Sequence, residues 1–243
     1  MSQAIIAGLQ SNWEIQIMCG RFALNENPLK FAEHFKLNGD VALTPAWNIA
    51  PSLKIATITD DAEGERHLNR MRWGLIPSWA KDVSIGNKLS NARGETVAEK
   101  PSFRSAFKYR RCLIPASGFY EWKTVQGVKH PWYMSYKSGD PMAFAGIWEA
   151  WKSAEGETIH TCCIITTSPN TLMEKIHDRM PVILDPEQWD VWLSKHEHKL
   201  DDLLPFLRPH DADSMQAWPV TRELNRVGLR NNQGLTEPVS ISD

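Results

Sequence analysis

Cysteine is scarce in this chain. Four are present among 243 residues, with no CxxC pair and no histidine at metal-ligand spacing. The pattern of a zinc module or a disulfide framework is therefore missing. Long hydrophobic runs are also missing, and no segment approaches the ~20 apolar residues that span a bilayer. No charge sign dominates: 27 Lys and Arg face 29 Asp and Glu, a formal net charge of −2. A global basic field that attracts nucleic acid is excluded, so any nucleic-acid site must be a local cluster. There is no internal repeat, no low-complexity tract and no Gly/Ser/Pro-rich linker. In the first seventeen residues the apolar stretch from Ala4 to Leu9 is too short for a signal-peptide core, and no Lys or Arg precedes it. The reading is one soluble, cytoplasmic domain with no membrane partner, no metal and no cofactor. No oligomer signal stands out, and a monomer is expected.

Tryptophan, by contrast, is abundant, at eleven residues. Most are expected in the core, with a few free to act as stacking surfaces. Asn27 to Leu37 reads as a short amphipathic helix with Pro28 at its start. Ile55–Thr59 and Leu68–Trp73 read as strands around a polar turn, and Ser90 to Lys108 is expected to include a helix bearing Phe103 and Phe107. Arg111–Lys123, Pro131–Tyr136, Met142–Trp151 and Thr158–Thr167 are apolar or alternating runs separated by turn residues, the pattern of an antiparallel meander. Pro186–Leu193 and Asp201–Leu207 read as helices and Met215–Val220 as a late strand. This mixed order favours α+β over a doubly wound sheet. Cys112, Cys162 and Cys163 are expected to be buried, reduced thiols.

The segment with most chemical content is Met18-Cys19-Gly20-Arg21-Phe22. A cysteine after an initiating methionine becomes residue one when that methionine is removed. It then carries a free α-amine titrating near pH 8 and a thiol slightly higher. Two nucleophiles on adjacent carbons close a five-membered ring on an aldehyde. Residues 1–17 are accordingly expected to be an extension that is not translated or is removed before Cys19, with residues 18–243 forming the domain.

Three further segments concentrate polar residues in apolar surroundings: Asn91-Ala92-Arg93-Gly94-Glu95, Gly118-Phe119-Tyr120-Glu121-Trp122 and His177-Asp178-Arg179-Met180-Pro181. Singly, each has an ordinary structural reading: a helix cap for Asn91, a surface position for Glu121, a packed ring for His177, salt bridges for Arg93 and Arg179. In this order, with Trp47–Pro51, Trp73–Trp79 and the late VGLRNNQG stretch, they resemble the SRAP (SOS response-associated peptidase) family. The resemblance runs from Met18 to about Gly234. It implies a single mixed domain with a curved, barrel-like, largely antiparallel β core and peripheral helices. It also implies binding of single-stranded DNA and covalent trapping of abasic sites during DNA-damage responses. Cys19 would be the nucleophile, with Asn91, Glu121 and His177 as the other catalytic residues. Arg21, Arg93 and Arg179 would contact phosphates, since a guanidinium is planar, permanently charged and bidentate.

The residues themselves agree with those roles. A carboxylate at Glu121 can shuttle protons, His177 can donate to a sugar oxygen or phosphate, and the Asn91 carbonyl can accept from the amine. Trp79 and Trp122 can stack on bases beside a lesion, with core packing as the equal alternative. Two other function classes stay open. One is a cysteine peptidase using Cys19 and His177, in its minimal form cleaving itself before Cys19. The other is a non-catalytic module that reads modified DNA.

Overall fold

A computed structural model of the chain describes residues 20–39, 41–194, 199–225 and 232–241. In chain order the elements are β1 (Arg21–Leu24), α1 (Pro28–Phe35), β2 (Ala46–Ile49), β3 (Lys54–Asp60), β4 (Arg66–Trp73), β5 (Asn91–Arg93), α2 (Arg104–Tyr109), β6 (Arg111–Ala116), β7 (Gly118–Val125), β8 (Val128–Tyr136), β9 (Met142–Lys152), β10 (Thr158–Thr167), β11 (Met180–Pro181), α3 (Trp189–Leu193), α4 (Leu200–Leu203) and β12 (Met215–Pro219). Short 3-10 turns join several of them.

Local sequence explains the clearest of these. The Asn27 side chain accepts from the N–H groups of Leu29 and Lys30, and Pro28 takes the first helical position of α1. Phe31 and Phe35, one turn apart, are fully buried. Lys36 then stops the helix in the left-handed region at φ 52°. Between β3 and β4 the Asp61 carboxylate accepts from the N–H groups of Glu63 and Glu65, closing the hairpin.

Five strands form a closed ring in the order β10-β4-β3-β6-β9, with β9 pairing back onto β10. A second sheet runs β12-β8-β7-β1-β2. This is an α+β single domain with a barrel core and short peripheral helices, as the sequence leads one to expect. Closing the sheet leaves the barrel strands without free edges.

The central strands depart from a simple meander. The run from Arg111 to Lys123 breaks at Ser117, whose N–H donates to Ala23 O at 2.7 Å. That bond turns the chain out of the barrel, so β6 and β7 lie in different sheets. β10 also runs parallel to β4 and β5. The segment from Ser90 to Lys108 begins as a strand, and its helix is confined to Arg104–Tyr109.

Burial follows the two sheets. The large core fills the barrel and the space against the second sheet, taking Phe22, Phe119 and Met134 from the latter. A smaller cluster of Ala23, Tyr120, Tyr133, Val220, Leu224 and Leu235 covers the second sheet's other face. Cys112, Cys162 and Cys163 are free and fully buried, and burial pushes all three thiols well up from their ordinary range. No helix among the described residues is long and apolar enough to cross a membrane.

Candidate active site

The barrel opens where β10 ends. β9 and β10 stay paired up to Gly146 and Ile164. Beyond that point residues 180–184 wedge between them. Val182 N–H donates to Ile165 O, Ala145 N–H to Val182 O and Leu184 N–H to Ala143 O, all within 2.8–2.9 Å. β11 thereby pairs with Thr166 and Thr167. On the opposite edge of β10, β5 pairs in parallel, with Asn91 against Ile164 and Arg93 against Thr166. Two of the polar segments thus flank one strand end.

One carbonyl ties them together. Thr166 O accepts from the Gly94 N–H and from the Arg179 guanidinium, each at 2.8 Å. The same guanidinium grips the Glu95 carboxylate with both terminal nitrogens, one of them at 2.9 Å. That contact holds the Glu95 carboxyl below its usual range. Within β5, Ala92 is buried in the core while Asn91 is half-buried and Arg93 exposed on the other face.

The third segment arrives from the second sheet. In β7, Phe119 and Glu121 share the face toward the barrel, and Tyr120 and Trp122 share the opposite face. Gly118 opens this strand because space demands it. A Cβ there would sit 2.4 Å from Met134 O and 2.5 Å from the Tyr133 ring. Glu121 is only 2% exposed, yet it is charged or a proton donor by nature. Its Oε2 lies 3.9 Å from Nε2 of His177, whose side chain is 9% exposed. The other ring nitrogen of His177 accepts the Arg179 backbone N–H at 3.1 Å, and Asp178 Oδ1 is also 3.1 Å from it.

The N-terminal segment enters at the same place. Arg21 pairs with Tyr120 in antiparallel register, so β1 begins beside Glu121, and Gly20 is buried. Cys19 lies outside the described residues.

The remaining sequence-derived residues fall elsewhere. Arg21 points to the far face of the second sheet, where it donates to Asn48 Oδ1 at 2.7 Å and Leu224 O at 3.0 Å. Burial lowers its pKa from the ordinary guanidinium value. Trp122 lies on that face too, its indole N–H donating to Asn225 Oδ1 at 2.9 Å. Trp79 stands in the loop after β4, 58% exposed. The structure therefore joins Glu121, His177 and Arg179 with the β5 segment of Asn91 and Arg93. It sets Arg21 and Trp122 behind the sheet that carries Glu121. Glu95 and Thr166 are the contributors that sequence reasoning passed over. Glu95 stood in view as the last letter of the Asn-Ala-Arg-x-Glu segment; Thr166 carried no signal, because its backbone carbonyl makes the contact.

A buried carboxylate and an imidazole thus meet near the start of β1, with the backbone of Arg179 bonded to the imidazole. The family model for SOS response associated peptidase (SRAP) matches residues 18–227, which contain every one of these segments. The chain belongs to that family. It is 47% identical over 212 residues to the abasic site processing protein YoqW of Bacillus subtilis (strain 168), spanning 86% of this chain and 94% of that one. It is 32% identical over 218 residues to the abasic site processing protein HMCES of Xenopus tropicalis, spanning 77% of this chain and 64% of that one. The crystal structure of a protein from Bacteroides thetaiotaomicron superposes with a TM-score of 0.81 at 27% identity, over 91% of this chain and all of that one. The SRAP fold thus accounts for the barrel, for the second sheet and for the site between them.

Proposed function

We propose that this SRAP protein processes abasic sites in DNA, trapping the lesion in single-stranded DNA as a covalent adduct of Cys19. The observation that carries the reading is the buried Glu121–His177 pair at the entrance of β1. A carboxylate and an imidazole excluded from water, 3.9 Å apart, are matched to moving protons. The relatives' names support the abasic site as the lesion.

The chemistry needs a chain that begins at Cys19. The abasic sugar opens to an aldehyde at C1′, with a proton delivered to the ring oxygen by His177 Nε2. The α-amine of Cys19 adds to C1′ and loses a proton to Glu121. The resulting hydroxyl leaves as water with a proton from the pair, giving a Schiff base. The thiolate attacks the imine carbon, the nitrogen regains a proton, and a thiazolidine closes. The sum is aldehyde plus aminothiol to thiazolidine plus one water. The Asn91 side chain aims the amine, Arg93 and Arg179 face the flanking phosphates, and Trp79 offers a ring to an unstacked base. Arg21 and Trp122 act from behind the sheet by bracing β1, which begins two residues after Cys19 in sequence, and β7, which carries Glu121.

The test compares two forms. With residues 1–17 attached, the Cys19 nitrogen is a planar amide and forms no Schiff base. Protein started at Met18 and processed to Cys19 is expected to give a heat-stable adduct with single-stranded DNA carrying one abasic site. Cys19→Ala and a long form with Met18 mutated are expected to give none. Long-form protein of verified mass that cross-links as fast as the short form would overturn the amine chemistry. Peptide cleavage without any DNA adduct would move the assignment to a cysteine peptidase.

A further inference from the structure

We propose that Glu95 is a positioning residue of this site, holding Arg179 so that its backbone fixes the tautomer of His177. The consequence for cross-linking rests on the function proposed above; the tautomer itself does not.

The chain of contacts is continuous. Glu95 grips the Arg179 guanidinium through both carboxylate oxygens. Thr166 O takes a second bond from that guanidinium and one from Gly94, the residue next to Glu95. The side chain of Arg179 is thereby anchored to the end of β10. Its backbone N–H in turn donates to His177 Nδ1 at 3.1 Å. A ring nitrogen that accepts an N–H cannot carry a proton of its own. In the neutral ring the proton therefore sits on Nε2, the nitrogen that faces Glu121.

A competitor for Nδ1 stands beside it. Asp178 Oδ1 lies 3.1 Å from the same nitrogen, and its side chain is 83% exposed. A carboxylate there rewards the opposite tautomer, with the proton on Nδ1 and a bare Nε2. Two acceptor carboxylates thus face the ring, Glu121 at Nε2 and Asp178 at Nδ1, and the Arg179 N–H decides between them. If Arg179 loses its anchor, its N–H drifts and Nδ1 passes to Asp178. The ring then presents a lone pair where the reaction needs a donor.

The experiment reads the tautomer directly. Long-range ¹H–¹⁵N correlation spectra of labelled protein beginning at Cys19, recorded where the ring is neutral, give the protonation of each nitrogen. His177→Gln identifies the signals. Wild type is expected to show the Nε2–H form, and Glu95→Ala a raised share of Nδ1–H. The double variant Glu95→Ala/Asp178→Asn is expected to return to Nε2–H, because the competing carboxylate is gone. In parallel, Glu95→Ala is expected to slow cross-linking by about ten- to a hundredfold, the scale of a small misplacement of a catalytic group. Its affinity for single-stranded DNA should not fall, and the double variant should recover part of the rate. An unchanged tautomer in Glu95→Ala would overturn the proposal. So would losses of rate, affinity and melting temperature in step, which mark a purely structural role. If wild type forms no adduct, the proposed function falls, while the spectra still decide the role of Glu95.

Discussion

Replacing Glu121 by Gln separates proton transfer from binding. The substitution keeps the size and most hydrogen-bonding capacity of a side chain that is almost fully buried, and removes only the titrating group. The geometry sets what is lost. At 3.9 Å, His177 Nε2 and Glu121 Oε2 are too far apart for an ordinary hydrogen bond to each other. An oxygen about 2.8 Å from both would see them at an angle of roughly 90°, close to that between two bonds on one oxygen. That spacing leaves room for a common third atom, which in the proposed reaction is the oxygen that gains and loses protons. General acid–base catalysis is worth about 10²- to 10⁴-fold, or roughly 3–5 kcal/mol on the barrier. Glu121→Gln is expected to slow single-turnover cross-linking at saturating DNA within that range. Anisotropy with a non-reacting tetrahydrofuran lesion should show affinity essentially unchanged, since size and most hydrogen-bonding capacity are kept. A variant that cross-links at the wild-type rate would refute the shuttle. A variant that loses affinity and rate by equal factors would show that Glu121 serves the fold instead.

Two predictions concern charge and pH. Arg93 is exposed, whereas the charge of Arg179 is balanced by Glu95. Arg93→Ala is expected to flatten the salt dependence of single-strand binding by about 0.7 in the log–log slope, and Arg179→Ala by less; an unchanged slope for Arg93→Ala would remove it from the phosphate path. The three buried thiols make the protein sensitive to alkali. In the unfolded chain they titrate at about pH 8.5, while in the fold their pKa is raised, so above that pH the unfolded state releases protons that the native state keeps. Stability is therefore unaffected below the ordinary thiol range and falls above it, by up to about 1.4 kcal/mol per pH unit for each thiol. Urea midpoints measured from pH 8 to 10.5 should decline, less steeply in Cys162→Ala; a flat wild-type profile would contradict the burial.

Some of this protein is written in local sequence. The α1 helix follows from Asn27, Pro28 and the Phe31–Phe35 spacing. The β3–β4 hairpin follows from alternation around an aspartate turn, and the α+β class from the order of such signals. The four polar segments stand out because each interrupts an apolar run, and together they mark the family. What they form was decided elsewhere. β5 and β11 are three and two residues long, too short to show a period, and exist because β10 pairs with both. Those pairings bring residues 91–95 and 177–181 to a single carbonyl of Thr166, a junction that depends on non-local hydrogen bonds. The break at Ser117 depends on Ala23, some ninety positions away, which is why one continuous apolar run became strands of two sheets. Side-chain parity then settled which face each residue serves. Glu121 is turned toward the barrel and Trp122 away from it, one residue apart in a strand. Composition and spacing identify residue types; the register between distant strands alone determines which of them share a pocket.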